Sequence, residues 1–485
     1  MKYTYLTLVF LIIISGCKPS EKLVEKKEDK QDLINFLFQD YIGEKPSASF
    51  IVIKDGKIKD CQSFGYADLE NKVLANRETN YRLASVTKQF TAMGILTLIN
   101  QGKLDYNTKL TEVIPEFPEY GKKITIKNLM SHRSGLQPYN KLYPNDAEKQ
   151  LVDKEVLNLL IKQDSLLFPA NTKYRYSNSG YAVLAMIIER VSGKTFQDFM
   201  AEEIFEKLGM TNSTVYSKDV QIKNRAYGYK FNDSIYENRD QSTWSAILGD
   251  GGIYSSVSDY AKWDKSLYNE TLVKSDLIND AFSNWDENGK TDGKGYGFGW
   301  QIDIKNGKKY LLHGGSTSGF LNTTLRIPSE KITVVIYTNT SSLGGLRRKA
   351  LSLASYFSDG KIPFPAYVLL EKDIDENGIE NITAKFNQLK SDNNKYDIVE
   401  EDLRALGFSF FNKESEKALK IFELIKLEFP NYYGGHFGLG QYYAYKTEGN
   451  NEKAVQYYKK AVELLPSKDQ RLINYSKKMI EKLSE

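Results

Sequence analysis

The sequence predicts an α/β fold, with an antiparallel sheet flanked by helices and a helical subdomain, followed by an all-α module of helical repeats. Strand-like runs occur early, at 47–67, and again late, at 309–312, 321–327 and 332–339, with apolar helical patterns between them. This arrangement indicates one sheet formed by distant segments and packed against helices. A repeat pattern beyond residue 396 predicts the second module.

The first strands form a predicted hairpin. Residues 47–67 alternate in polarity around Asp55-Gly56, a dipeptide that favours a tight turn between two strands. An apolar helix then starts at Ser85 and ends where Gly102 supplies a left-handed cap. Further helical patterns are found at 33–42, 154–163, 181–191 and 195–208, the last of them stopped by Gly209.

The end of the chain contains an internal repeat. Leu406-Gly407, Phe410, Ala418, Phe422 and Pro430 recur as Leu439-Gly440, Tyr443, Ala454, Tyr458 and Pro466. The last three positions recur at a constant offset of 36 residues (454 − 418). The pattern resembles tetratricopeptide repeats, whose period is about 34 residues. The alternative is a pair of helical hairpins without repeat ancestry, and in both cases 469–483 supplies a final helix.

Composition excludes several classes of protein. The 485 residues are 41% hydrophobic and 26% charged, which excludes collagen-like, wholly disordered and polytopic membrane proteins. The 66 basic and 62 acidic residues leave a net charge of +4, with both signs interspersed along the chain. We therefore expect no nucleic-acid partner.

The first seventeen residues resemble a bacterial lipoprotein signal. Lys2 precedes the apolar stretch 8–14, and Ile14-Ser15-Gly16-Cys17 closes the segment with small residues before a cysteine. The stretch is too short to cross a membrane core, which needs about 20 residues. The resemblance implies that Cys17 is diacylated and anchors the protein in the bacterial cell envelope, facing the periplasm or the exterior. The alternative is an ordinary secretory signal with an incidental cysteine.

Changes in composition divide the rest of the chain. Residues 18–32 are almost entirely charged and polar, so we expect an unfolded tether between the signal 1–17 and the first domain. Residues 33–365 hold the α/β domain, 366–395 are predicted as a linker, and 396–485 hold the helical module.

Three short motifs occur in order: Ser85-Val86-Thr87-Lys88, Tyr176-Ser177-Asn178 and His313-Gly314-Gly315. Ser85 begins an apolar helix, so the Lys88 side chain lies on the same face, about 5–6 Å away between Cβ atoms. The second motif lies in a polar loop directly before a helix, where loop residues are presented to clefts. A second Ser-x-x-Lys, at Ser358, is followed by Asp-Gly and by no helix.

The pairing of a serine with a lysine has a chemical reason. Serine is a poor nucleophile until a neighbouring base takes its proton. Either Lys88 serves as that base in its neutral form, or its charge helps Tyr176 to act as a phenolate instead, and both alternatives stay open. Backbone N–H groups at the helix start near Ser85 can stabilise a developing oxyanion. Gly314 and Gly315 allow a strand to approach closely and offer a second donor.

These three motifs, in this order, resemble the serine β-lactamase-like superfamily, in particular its branch of class C β-lactamases, D-alanyl-D-alanine carboxypeptidases, D-aminopeptidases and esterases. The stretches 129–136, 251–255 and 296–300 are also similar to that branch, and the likeness covers about 31–359. The resemblance implies a β-lactamase/transpeptidase-like domain.

The resemblance also implies roles for single residues. Ser85 is the acylated nucleophile, and Lys88 and Tyr176 share the proton transfer. Asn178 positions the substrate amide, and the backbone N–H groups of Ser85 and Ser316 form the oxyanion hole.

The third motif departs from the Lys-Thr-Gly of β-lactamases. The resemblance still implies that His313, Gly314 and Gly315 position the substrate. A histidine with a pKa of about 6.5 is mostly neutral at pH 7, however, so it cannot hold a carboxylate as a lysine does. We therefore do not expect a dedicated β-lactamase. His132 is interpreted as a loop brace and His436 as structural, and with so few His and Cys residues we expect no metal and no cofactor.

The combined prediction is a serine hydrolase that acts through an acyl-enzyme on amides or esters, such as peptidoglycan-type D-amino-acid peptides, β-lactams or small esters. The expected partners are a small-molecule or peptide substrate, the membrane through the lipid anchor, and a protein bound by the helical repeats. The alternative is a catalytically idle envelope scaffold that binds peptidoglycan or a partner protein through its repeats.

Overall fold

A computed structural model describes residues 21–144, 147–232, 234–286, 288–447, 450–467 and 469–484, with the side chains described from residue 30 onward. The described residues divide into two compact units, one up to Gln39 and one from Asp40 onward. Cys17, the predicted lipidation site, lies outside the described residues.

The first unit contains helix α1, Glu21–Phe38. The prediction of an unfolded tether over 18–32 is therefore wrong for most of its length. The segment is rich in Glu and Lys, which have high intrinsic helix propensity, whereas the prediction considered only its lack of apolar surface.

The other helices, all in the second unit, are α2 Thr87–Asn100, α3 Leu110–Val113, α4 Ile126–Met130, α5 Asp153–Ile161, α6 Asn178–Ser192, α7 Phe196–Met200, α8 Glu206–Leu208, α9 Val257–Ser266, α10 Ser275–Ala281, α11 Leu346–Phe357, α12 Ala366–Asn377, α13 Ile382–Lys390, α14 Glu400–Phe410, α15 Ser415–Glu428, α16 Tyr433–Tyr445, α17 Asn451–Leu464 and α18 Gln470–Ser484. A 3₁₀ turn, Ala84–Val86, precedes α2, and a π-helical turn, Ala201–Phe205, joins α7 to α8.

The strands are β1 Ala48–Lys54, β2 Lys57–Phe64, β3 Tyr66–Asp68, β4 Val73–Leu74, β5 Tyr81–Arg82, β6 Thr214–Val215, β7 Tyr229–Asn232, β8 Ile235–Asn238, β9 Ile253–Ser255, β10 Asn284–Asp286, β11 Gly289–Thr291, β12 Gly295–Tyr296, β13 Gln301–Lys305, β14 Lys308–Thr317, β15 Phe320–Ile327, β16 Ile332–Thr338, β17 Phe364–Pro365 and β18 Tyr396–Asp397.

The principal sheet has seven strands in the order β12-β13-β14-β15-β16-β1-β2, and every neighbouring pair is antiparallel. Strand β1 thus pairs with β16, the sheet strand that comes last in the chain, and Ala48 lies opposite Thr338 and Lys54 opposite Ile332. This confirms the prediction of one sheet built from both ends of the domain. The hairpin prediction is also confirmed, because Asp55 and Gly56 join β1 to β2 with φ of 52° and 69°, as the tight hairpin turn requires.

Asn339, the residue after β16, connects segments that are distant in the sequence. Its side-chain oxygen accepts hydrogen bonds from the Ser47 N–H at 2.5 Å and the Ser47 hydroxyl at 2.9 Å. Its side-chain nitrogen donates to the carbonyls of Tyr66, Ala67 and Tyr227 at 2.9–3.1 Å. Because the residue is fully buried, each of these bonds satisfies a group that water cannot reach.

Helix α2 carries the last two residues of the first motif, Thr87 and Lys88, into the core. Every residue from Thr87 to Leu98 is buried, and the helix packs against α6. A helix that is buried on all sides lies in the centre of a domain rather than on its surface. Its position therefore fixes the base of any site formed at its N-terminus.

The helices from α14 to α18 pack successively, each against the next. Ala418 on α15 and Ala454 on α17 are fully buried, as are Phe422 and Tyr458 one turn later. Small residues at these places let neighbouring helices approach closely. The all-α module is confirmed, whereas its kinship with tetratricopeptide repeats stays a prediction.

The segment predicted as a linker, 366–395, is instead largely helical and forms α12 and α13. Tyr367, Leu370 and Ile374 are buried on α12, and three apolar residues of α13 are buried as well. The prediction is wrong because frequent Asp, Asn and Lys residues mask an apolar spacing of three and four.

None of the helices in the described part of the chain combines the length and the apolar character needed to cross a bilayer.

Candidate active site

The backbone at Ser85 is held in an unusual conformation. Ala84, the residue before it, has a φ of 49°, in the left-handed region that residues with a Cβ rarely adopt. The Leu83 N–H donates to the Ile253 carbonyl at 2.8 Å, and the Leu83 carbonyl accepts from the Val86 N–H at 3.2 Å. The turn is therefore tied to β9 at Leu83 and closed by its own hydrogen bond, and Ser85 is presented directly before α2.

Strand β14 runs directly beside this turn. A Cβ added to Gly315 would lie 2.2 Å from the Leu83 carbonyl oxygen, so only glycine permits the observed approach. A Cβ on Gly314 would meet only the Asn322 carbonyl, at an ordinary 3.7 Å. Of the two glycines in the third motif, Gly315 is thus the one that brings the strand edge to Ser85.

Lys88 lies beneath Ser85, one helical turn away. Its Nζ donates to the Ser85 Oγ at 3.1 Å and to the Asp250 main-chain carbonyl at 2.8 Å. The side chain is fully buried, so both hydrogen bonds form away from bulk water. The amine is therefore placed to exchange a proton with the serine hydroxyl.

Tyr176 contributes an aromatic ring above the amine. Lys88 Nζ lies 5.1 Å from the Tyr176 ring centroid and 5.6 Å from that of Tyr181, within the range of cation–π contacts. Tyr176 is 37% exposed, so it lies between the buried amine and the solvent. The next residue, Ser177, caps α6 by accepting a hydrogen bond from the Gly180 N–H at 3.1 Å, and Asn178 begins that helix.

The ring of His313 is buried and both of its nitrogens are engaged within the protein. Nδ1 lies 2.8 Å from the Gly314 carbonyl, which can only accept, so Nδ1 carries the proton. Nε2 then accepts from the Tyr296 hydroxyl at 2.8 Å. Burial and the nearby Lys88 lower the pKa of His313 to about 3, which keeps the ring neutral at pH 7. A neutral, engaged ring cannot supply the cation that Lys-Thr-Gly provides.

Asp250 is a further polar residue of this site, and no motif in the sequence indicated it. Asp250 is buried, and its carboxyl accepts a hydrogen bond from the Tyr139 hydroxyl at 2.7 Å. Burial raises the pKa of Asp250, while the nearby Lys88 and the Tyr139 bond oppose that rise. The same residue binds Lys88 through its carbonyl, so it joins the amine to the wall of the cleft.

Two cavities meet at Ser85. One of 380 Å³ is lined by Ser85, Tyr139, Asn178, Trp244, Asp250 and Ser316, among others. The other, of 430 Å³, is lined by Ser85, Tyr176, His313, Gly314, Gly315 and Ser316, among others. Ser85 and Ser316 line both, so a substrate that spans the cleft would pass between these two residues. The structure thus places the predicted site residues after Cys17 at one cleft: Lys88 is buried beneath Ser85, and the others line the two cavities.

Comparison with known proteins identifies the family of the domain that forms this cleft. The sequence model of the beta-lactamase family matches residues 34–355, well over half of the chain. The chain belongs to the beta-lactamase family. This match confirms the resemblance and the fold class that the three motifs predict, and it makes the chain a member of a family of serine hydrolases.

Among the relatives of this beta-lactamase family member is penicillin-binding protein 4* of Bacillus subtilis, 31% identical over 332 residues that cover 64% of this chain and 72% of the relative. Protein flp of Staphylococcus aureus is 26% identical over 313 residues, 62% of this chain and 61% of the relative. The chain therefore spans less than two thirds of Protein flp.

Solved structures share the fold of this family member. The octameric penicillin-binding protein homologue from Pyrococcus abyssi has a TM-score of 0.61 at 24% identity, over 72% of this chain and 81% of that chain. D-amino acid amidase from Ochrobactrum anthropi, complexed with D-phenylalanine, has a TM-score of 0.59 at 21% identity, over 68% and 99% of the two chains. At these identities the likeness concerns the fold alone.

Proposed function

We propose that the protein hydrolyses amides or esters through an acyl-enzyme formed on Ser85. The observation that carries the proposal is the 3.1 Å contact between Lys88 Nζ and Ser85 Oγ inside a cleft that opens on both sides of the serine. An amine at this distance satisfies the geometric requirement for a general base.

The proposed reaction begins when the Ser85 hydroxyl loses its proton to neutral Lys88 or to a Tyr176 phenolate. Ser85 Oγ bonds to the substrate carbonyl carbon, and the backbone N–H groups of Ser85 and Ser316 stabilise the oxyanion. Collapse of the intermediate breaks the bond to the leaving amine or alcohol, which takes the proton. In the second half, the same base takes a proton from water, the water oxygen bonds to the acyl carbon, and the bond to Ser85 Oγ breaks as the serine regains the proton and the acid is released. Asn178, His313, Gly314 and Gly315 orient the substrate in the cleft.

We propose substrates of the classes that suit this chemistry: D-amino-acid peptides of the peptidoglycan type, β-lactams or small esters. The neutral His313 argues for substrates whose binding at this motif does not depend on a carboxylate. The idle-scaffold alternative is not favoured, because the chain is a member of a hydrolase family and Lys88 remains in contact with Ser85.

Covalent labelling tests the proposal. A fluorescent penicillin and a fluorophosphonate should label the wild-type protein, and Ser85→Ala should abolish labelling by both. The serine of the second Ser-x-x-Lys gives a matched control: Ser358→Ala should label normally, because the Ser358 hydroxyl donates to the Ser355 carbonyl at 2.7 Å and belongs to neither cavity. Labelling of Ser85→Ala at the wild-type rate would disprove the proposal.

We also propose that the protein is a lipoprotein of the bacterial cell envelope, anchored through Cys17, and that the helices after residue 396 bind a protein partner. The support for the anchor is the pattern Ile14-Ser15-Gly16-Cys17. Incorporation of radioactive palmitate into the wild type but not into Cys17→Ala would support the anchor, and equal incorporation would contradict it.

A further inference from the structure

His132 forms hydrogen bonds with the residues on both sides of Tyr176. Its main-chain carbonyl accepts from the Arg175 N–H at 2.9 Å. Its ring Nδ1 accepts from the Ser177 N–H at 3.1 Å. The backbone that carries Tyr176 is therefore fixed by one residue from a different loop, directly before and directly after the tyrosine.

The ring of His132 also limits the movement of the Tyr176 side chain. The two ring centroids are 4.2 Å apart, and the rings of Tyr296 and Tyr181 lie 4.4 Å and 5.0 Å from His132. His132 is 1% exposed, so little free space surrounds it. It has a φ of 60°, a left-handed conformation that a residue with a Cβ rarely adopts. Strained residues of this kind cluster at functional sites.

The hydrogen bond to Ser177 requires a neutral ring. Because Nδ1 accepts, the proton resides on Nε2, which is buried and has no hydrogen-bond partner among the described residues. Burial, together with Lys88 and His313, holds the pKa of His132 well below its usual 6.5. The acceptor at Nδ1 is therefore present throughout the neutral pH range.

We propose that His132 is a positioning residue that keeps the Tyr176 ring over Lys88, in the cavity that Ser85 also lines, through its bonds to residues 175 and 177. The inference rests on the proposed function, in which Tyr176 shares the proton transfer. A displacement of about 1 Å in such a group can lower a rate by about 10²-fold. His132 thus acts on the reaction through Tyr176, without touching the substrate itself.

A double-mutant cycle tests this inference in the full chain, with the acylation rate by a fluorescent penicillin as the readout. Tyr176→Phe removes the hydroxyl and should lower the rate by about 10²-fold. His132→Phe keeps a ring and removes the acceptor, and we expect a loss of about tenfold or more in the wild-type background. In the Tyr176→Phe background, His132→Phe should change the rate by less than about twofold, because no hydroxyl remains to be positioned.

A rescue variant separates the hydrogen bond from the packing. The side-chain oxygen of His132→Asn can replace Nδ1 as an acceptor, and asparagine tolerates the left-handed conformation, so its rate should stay within about threefold of wild type. The melting temperature of every variant is measured together with its acylation rate, to show that the variant is folded. If His132→Phe does not fold, His132→Ala replaces it in both backgrounds.

The outcomes are distinguishable. Wild-type protein that neither the fluorescent penicillin nor a fluorophosphonate labels, or labelling that survives Ser85→Ala, would overturn the proposed function. Equal losses from His132→Phe in both backgrounds, with no rescue by His132→Asn, would overturn the positioning role alone. A loss confined to the background that contains Tyr176 supports it.

Discussion

Ser85 lies where segments from five distant parts of the chain meet, since Lys88, His132, Tyr176, Asp250 and His313 all lie within one cluster of contacts around it. Each helix from α14 to α18, by contrast, packs mainly against the helix that precedes or follows it in the chain. The first region depends on long-range closure of the chain and the second on local contacts.

The two regions also differ in local geometry. Near the serine, Ala84 and His132 have positive φ values and a lysine is buried. In the helical region, alanine, glycine and aromatic residues occupy buried positions in regular helices. The comparison indicates that small changes near Ser85 affect activity and stability together, whereas changes in the helices affect stability alone. Four experiments address this difference.

The largest effect is expected from Gly315→Ala. The added methyl group would lie 2.2 Å from the Leu83 carbonyl, so β14 must move away from the turn that presents Ser85. We expect a loss of about 3 kcal/mol in the free energy of unfolding and about 10²-fold in the penicillin acylation rate. Gly314→Ala is the matched control for stability, with a loss below about 1 kcal/mol. Equal losses in the two variants would show that the approach of β14 is not the reason.

The corresponding change in the helices is Gly438→Ala on α16. Its methyl group would lie 2.3 Å from the Phe422 ring, so the ring must shift out of its buried position. We expect a loss of about 2–3 kcal/mol on urea unfolding, and an acylation rate within about twofold of wild type. Lys459→Ala, at an exposed position on α17, controls for substitution in a helix. A tenfold loss of acylation would show that the two regions are coupled.

A smaller effect concerns pH. The pKa of His313 is about 3 in the folded state and about 6.5 in the unfolded state. As the pH falls below 6.5, the unfolded chain therefore takes up a proton at His313 while the folded protein does not. The stability that the neutral, buried His313 contributes is lost in that pH range. Between pH 7 and pH 5 the stability advantage of wild type over His313→Asn should shrink by about 2 kcal/mol. His436→Asn, whose ring is only partly buried on α16, should give a smaller change.

The smallest effect is expected from Lys420→Ala. Lys420 on α15 forms an ion pair with Glu380, and the glutamate side chain is 77% exposed. Exposed pairs contribute little because water and salt screen them, so the loss in urea unfolding should stay below about 0.5 kcal/mol. A loss above 2 kcal/mol would show that the contact between α15 and residues 379–381 contributes more to stability than an exposed ion pair can.

The sequence predicted those features that local patterns determine. Asp55-Gly56 indicated the hairpin turn, and the spacing of Ser85 and Lys88 indicated their contact. The late strands, whose side chains are almost all apolar or small, indicated the sheet.

Other features depended on long-range packing and had no local signal. Nothing in the sequence shows that Lys88 binds the Asp250 carbonyl, because a main-chain acceptor can belong to any residue type. His313 was predicted to position the substrate, but nothing in the sequence indicated that Tyr296 and the Gly314 carbonyl contact its two ring nitrogens. His132 was interpreted as a loop brace. Its two bonds to the neighbours of Tyr176 could not be predicted, because they join segments that only the folded chain brings together.

The bond between Ser47 and Asn339 has a consequence for biosynthesis. The two residues are 292 positions apart, and β1 has a neighbour on only one side until β16 has been made. At about 5–20 residues per second, a ribosome needs about 15–60 s to make the intervening chain. During that interval strand 48–54 has an edge without its β16 partner, and open apolar edges invite pairing with other chains. We therefore expect the protein to stay unfolded, or to be bound by a chaperone, until β16 has been made.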